Sequence, residues 1–174
     1  MELDGLKTLE SFSKEELIAL VQDMSKRWLA HDGVWFQCVE NKYGMEEAVE
    51  MDAQAWDRFA QIEATRIMKL HKIPPDGGLP ALVKALELRQ YSFLNVKEVV
   101  ELSDNKLIFR MTTCRVQATR KWKEMPAFPC KPVGILEYTS FARTIDPRIK
   151  TRCLTCHPDN NHADEYNCEW EFTI

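Results

Sequence analysis

The sequence lacks any run approaching the ~20 apolar residues that a membrane span requires. Its opening stretch, MELDGLKTLESFSKEEL, has no basic segment followed by an apolar one. Without either, the chain is expected to stay off the membrane, in the cytoplasm. It also lacks an excess of positive charge: 23 Lys and Arg against 27 Asp and Glu leave a net charge of −4. That balance suits a phosphate backbone poorly, so nucleic acid is not an expected partner. No repeat or low-complexity linker divides the 174 residues. They are expected to form a single domain, 1–174, with a helical part over 1–93 and a cysteine-containing α+β part over 94–174. Nothing in the pattern fixes an oligomeric state, and a homodimer stays open.

Cysteine is scarce before residue 113, where only Cys38 occurs, and crowded after it as Cys114, Cys130, Cys153, Cys156 and Cys168. A chain of this length needs no disulfide staples. In a reducing cytosol such thiols read as metal ligands or nucleophiles before they read as bridges.

Helical signals fill the first half. Ser13 and Glu16 form a capping-box pattern ahead of apolar residues at Leu17, Leu20, Val21, Met24, Trp28 and Leu29. His31-Asp32-Gly33 predicts a bend or break, and a second helical piece, Val34 to Tyr43, ends at Gly44. Met45 to His71 reads as one long helix stopped by Pro74-Pro75-Asp76-Gly77-Gly78. Leu79 to about Phe93 predicts another.

The period then changes. Val96–Leu102 and Lys106–Met111 around Ser103-Asp104-Asn105 predict a hairpin. A short basic helix follows, capped by Thr113, then a proline-punctuated loop carrying Cys130, and a helix from Val133 to about Ile145 with Pro132 in its first turn. Arg148–Cys153 and Asn167–Ile174 predict two further strands, the last alternating Cys168, Trp170, Phe172 and Ile174 with polar residues. The fold class expected is α+β: N-terminal helices followed by a ββ-αα-ββ antiparallel sheet with helices on one face.

Within RCLTCHPDNNHADEYNCEWEF, Cys153, Cys156 and Cys168 stand at a tight pair and a loop closure, a spacing suited to thiolates converging on one soft cation. Cys130, His157, His162 and Cys114 are candidates for a fourth ligand. Cys130 is preferred because it sits on a loop before a helix. Lys131, Arg148, Lys150 and Arg152 are placed to offset the negative charge. Zinc is the expected metal. An iron–sulfur cluster, a Cys153/Cys156 redox pair and inert buried thiols are the other readings.

The spacing Cys130-x22-Cys153-x2-Cys156-x11-Cys168 resembles the C-terminal zinc site of four-vinyl-reductase-type small-molecule-binding domains. There the ligands run Cys, Glu-x-x-Cys and a final Cys after a somewhat shorter loop. The resemblance implies metal coordination at the four positions here, with Cys153 in place of the glutamate. Roughly the last sixty residues, with Cys114, Cys130 and the terminal CEWEF, are also similar to proteins of the L-2-amino-thiazoline-4-carboxylic acid hydrolase group. The whole chain resembles an uncharacterised prokaryotic family of this length.

Two functions follow as expectations. One is a zinc-stabilised small-molecule-binding protein whose ligand, apolar or aromatic, meets Trp28, His31, Trp35 and Phe36 beneath the helical half. The other is a cysteine-dependent hydrolase of a C–N or C–S bond, with Cys114 as nucleophile and His31 as base. A helix N-terminus and basic neighbours are expected to lower the Cys114 pKa. The rival reading of Cys114 is a small buried core residue, and that of the Trp28–Phe36 cluster is a packed helix corner with Asp32 as its cap. Glu40 and Glu63 with His31 form a further, hard-metal alternative. The basic run Arg115 to Lys123 reads as a solvated helix face.

Overall fold

Ser13 starts the first long helix through a closed capping box: its Oγ accepts from the Glu16 amide at 3.1 Å, and the Glu16 carboxylate accepts from the Ser13 amide at 2.8 Å. The computed structural model describes residues 4–159 and 165–174. A short helix α1 (Gly5–Glu10), capped by Asp4, precedes α2 (Lys14–Tyr43).

The expected break at His31-Asp32-Gly33 does not occur, and α2 runs unbroken through it. One glycine inside a helix costs only ~1 kcal/mol against alanine. Packing on both sides outweighs that, with Trp28 against Trp56, Phe59 and Tyr91 and with Phe36 against Phe128. A Cβ built on Gly33 meets nothing within 4 Å. Gly33→Ala is therefore expected to raise the unfolding free energy by about 0.5–1 kcal/mol, read as a higher urea midpoint with an unchanged m-value.

Gly44, at φ 93°, turns the chain directly into α3 (Met45–His71). One face of α3 carries Ala48, Asp52, Trp56, Ala60 and Ala64 at four-residue spacing, and the alanines let it lie close along α6 (Lys131–Ile145). Helix α4 (Gly78–Glu87) is shorter than expected. It stops before Arg89 and gives way to a 3-10 turn at Gln90–Phe93. Arg89 is 3 % exposed, and its tertiary partners, rather than the helical period, set the chain direction there.

Strands β1 (Val96–Leu102), β2 (Lys106–Thr113), β3 (Lys150–Thr155) and β4 (Cys168–Thr173) form one antiparallel sheet in the order β1-β2-β4-β3. Helices α5 (Arg115–Trp122) and α6 come between the two hairpins, so the ββ-αα-ββ order read from the sequence is the observed one. Leu107, Phe109, Met111, Trp170 and Phe172 form the buried face under α6. On the other face Arg110 pairs with Glu98 and Glu169, and Arg152 with Glu171. A Cβ on Gly134 would stand 2.8 and 2.9 Å from the Trp170 ring, which measures how closely α6 rides on β4. Asp146 ends α6, and its carboxylate accepts from the Gly78 amide and from Arg148, tying α6 to the start of α4. Among the described residues no helix is long and apolar enough to cross a membrane.

Candidate functional site

Cys130 holds the N-cap position of α6, Cys153 lies in β3, Cys156 directly follows β3, and Cys168 opens β4. The Lys131 amide donates to the His157 carbonyl at 2.9 Å, pinning the α6 start to the turn after β3. This brings the cysteines together. The Cys130 and Cys156 sulfurs are 3.4 Å apart, and Cys156 shares hydrogen bonds with Cys130, Cys153 and Cys168. Those bonds, with burial added, push the Cys156 thiol far up. The thiols of Cys130 and Cys153 are pulled down by their bonds to Cys156. Gln117 braces the group: its amide nitrogen lies 3.6 Å from the Cys130 sulfur and donates to the Phe128 carbonyl at 2.7 Å.

Among the described residues no group of three or more His, Cys, Asp or Glu side chains is arranged so that it could hold a metal ion as it stands. The Cys130 and Cys156 sulfurs are in direct contact. Zinc–sulfur bonds of ~2.3 Å in a tetrahedron would need sulfurs about 3.8 Å apart, a few tenths of an ångström beyond the Cys130–Cys156 contact. His162 and part of the loop before Cys168 lie outside the described residues. The expected counter-charges are largely engaged elsewhere: Lys131 pairs with Asp159, Arg148 with Asp146 and Arg152 with Glu171.

Above the cysteines is a cavity of about 400 Å³. Helix α2 contributes Asp32 and Phe36, α3 contributes Asp52 and Trp56, and Tyr91 follows α4. Met111 and Cys114 come from the end of β2, Gln117 from α5, and Val133, Glu137 and Tyr138 from α6, while Cys130, Cys156 and Cys168 line its cysteine end. Its volume falls within the ~300–1,000 Å³ range of pockets that hold small molecules, and its lining includes Phe36, Trp56, Tyr91 and Tyr138.

Of the residues expected to meet a ligand, Phe36 lines this cavity. Trp28 stands behind it in the cluster of Trp56, Phe59 and Tyr91, Trp35 is 68 % exposed, and His31 is exposed on α2 outside the lining. Cys114 does line the cavity but is itself the N-cap of α5, since Thr113 ends β2. Burial pushes its thiol up to about 12, the reverse of the lowering expected; desolvation of the anion outweighs the pull of the nearby Gln117 and Val116 amides, neither of which the thiol caps. Glu40 and Glu63 are not free to join a hard-metal site with His31. Glu40 receives both terminal nitrogens of the buried Arg120 at 3.0 and 2.8 Å, and Glu63 accepts from Arg89. Arg120 is accordingly no part of a solvated face.

Sequence reasoning missed the acids. Burial raises Asp52 to about 8, with the charges of Asp32 and Glu137 adding and a hydrogen bond from Trp56 opposing. Burial likewise raises Asp32 to about 6, opposed by His31. The signal was present in α3, where Asp52 interrupts the stripe Ala48, Trp56, Ala60, Ala64 at a position facing inward. Glu137 faces the same space and is paired with Arg89 at 2.7 Å.

No curated protein and no solved structure matches the chain. A family model covers residues 10–174, and on that match the chain belongs to the family of unknown function DUF6125.

Proposed function

We propose that this is a small-molecule-binding protein, stabilised by zinc at Cys130, Cys153, Cys156 and Cys168, whose ligand has an apolar or aromatic body. The carrying observation is the cavity of about 400 Å³ walled by Trp56, Tyr91, Phe36 and Tyr138 with the cysteine cluster at one end. What supports zinc is the donor set, one thiol within hydrogen-bond reach of three others; binding would release their protons and move the sulfurs apart around the ion. Zinc there would be structural, joining the α6 start to β3 and β4. Reduced thiols suit the cytoplasm. Hydrolysis by Cys114 with His31 is the weaker reading, since that thiol is held protonated and that histidine lies outside the cavity lining.

Two measurements test this. Elemental analysis of protein purified without chelator is expected to give about one zinc per chain and to fall to near none in Cys156→Ser. Full zinc in both would overturn the assignment of zinc to these four cysteines, and none in either would remove the metal from the reading. A neutral fluorescent probe, N-phenyl-1-naphthylamine, is expected to bind the intact protein and to be excluded by Val116→Trp, which fills the cavity from α5. Equal binding by a folded Val116→Trp variant would place the ligand elsewhere.

A further inference from the structure

We propose that the ligand of this cavity is an organic cation, an aromatic or apolar body bearing a protonated amine, with its ammonium group against Asp32 and Asp52. This rests on the cavity being the ligand site and goes further by assigning the ligand's charge. The first support is the distribution of charge around the space. Glu137 is held by Arg89, and Arg120 by Glu40. Asp32 and Asp52 have no ion-pair partner among the described residues, and both are partly buried. The lining cations without an ion-pair partner among the described residues, Lys26, Arg115 and Lys123, are exposed to solvent, where their field is screened. The recessed titratable groups without an ion-pair partner are therefore carboxyls, which a cation would draw into their ionised form.

The second support is independent of the acids. Tyr138 lines the cavity and is 7 % exposed, yet its hydroxyl has no hydrogen-bond partner among the described residues. That hydroxyl is not among the fully buried partnerless atoms, which fits its opening on the cavity, where a polar group on a bound molecule would pair with it. The aromatic body has its own wall in Trp56 and Tyr91, stacked at 5.4 Å.

Proton linkage sharpens the expectation. The raised carboxyls of Asp52 and Asp32 hold protons in part at neutral pH, and an ammonium favours the ionised form. Binding should therefore expel protons and tighten as pH rises from 6 to 8. The other charged groups facing the pair are Lys26 and His31 on α2, Arg115 at the start of α5 and Glu137 on α6.

The test uses three probes sharing one ring: tryptamine, tryptophol and indole-3-propionate, titrated calorimetrically into the full chain. Tryptamine is expected to bind about tenfold or more tighter than tryptophol, and indole-3-propionate more weakly still. The Asp32→Asn/Asp52→Asn double variant is expected to level tryptamine with tryptophol and to abolish proton release, measured in buffers of different ionisation enthalpy, with each single variant giving part of the loss. Tryptamine binding no tighter than tryptophol, or a preference that survives in the double variant, would overturn the cation proposal and leave the cavity standing. Failure of all three indoles to bind at millimolar concentration would overturn the cavity reading and this proposal with it.

Discussion

Arg89→Met is expected to lower the unfolding free energy by on the order of 3–5 kcal/mol, the cost of leaving buried charge without its partner. Arg89 joins three helical segments. Its Nε donates to Glu63 on α3 at 2.8 Å and a terminal nitrogen to Glu137 on α6 at 2.7 Å, while the guanidinium lies 4.5 Å from the Phe141 ring centroid and 5.6 Å from that of Tyr138. Methionine fills much of the same volume, so the loss isolates charge from packing. Burial already raises the Glu137 pKa, against the pull of Arg89. With the arginine gone, the folded state binds protons more strongly still. A group raised in the folded state stabilises it at low pH and loses that contribution as pH rises through the folded value. The Arg89→Met deficit should therefore be smaller at pH 5 than at pH 8 in urea titrations. Adding Glu63→Gln and Glu137→Gln should recover much of it. A deficit independent of pH, unrelieved by the added amides, would show that Arg89 acts through packing alone.

Gly134→Ala is expected to cost about 1–3 kcal/mol, the range for forcing a methyl group into a filled core. Its Cβ would meet the Trp170 ring at 2.8 Å, and Trp170 is 1 % exposed, with Tyr138 centred 4.6 Å away on its other contacts. The ring cannot swing aside, so α6 must lift from the sheet. Gly134 and its neighbours Val133 and Glu137 line the cavity, and N-phenyl-1-naphthylamine binding should weaken along with stability. Thermal melts of the variant beside Gly33→Ala make a direct contrast, because the same methyl group is expected to stabilise at position 33.

The elements whose signals are local were legible in the sequence. The capping box at Ser13 and Glu16, the proline stop after α3 and the alternation of Cys168, Trp170 and Phe172 each fix structure through near neighbours. Gly33 and Leu88–Arg89 were misjudged because contacts distant in the chain decide them: aromatic packing carries α2 through the glycine, and Glu63 and Glu137 hold the arginine. For the site, the convergence of Cys130 with Cys156 followed from spacing and strand order. The cavity acids did not follow, since Asp32 reads as a cap and nothing local marks Asp52 or Glu137 until α2, α3 and α6 are packed together. Cys114 failed in a different way. A helix start favours a thiolate only where solvent or a cation can reach it, and burial reverses the sign.

Because β4 lies between β2 and β3, the sheet is completed from its middle by the strand that leaves the ribosome after the other three. Before residues 168–173 emerge, β3 has no strand to pair with, and β2 has only β1. Helices α2 and α3, adjacent in sequence and joined at Gly44, depend on contacts that close early. The nascent chain thus carries a helical hairpin and a two-stranded ribbon whose Leu107, Phe109 and Met111 face still awaits Trp170 and Phe172, the kind of surface that chaperones hold. Arrival of β4 pairs the open edge of β2, completes the face that α6 covers and, through Cys168, finishes the cavity wall in the same event.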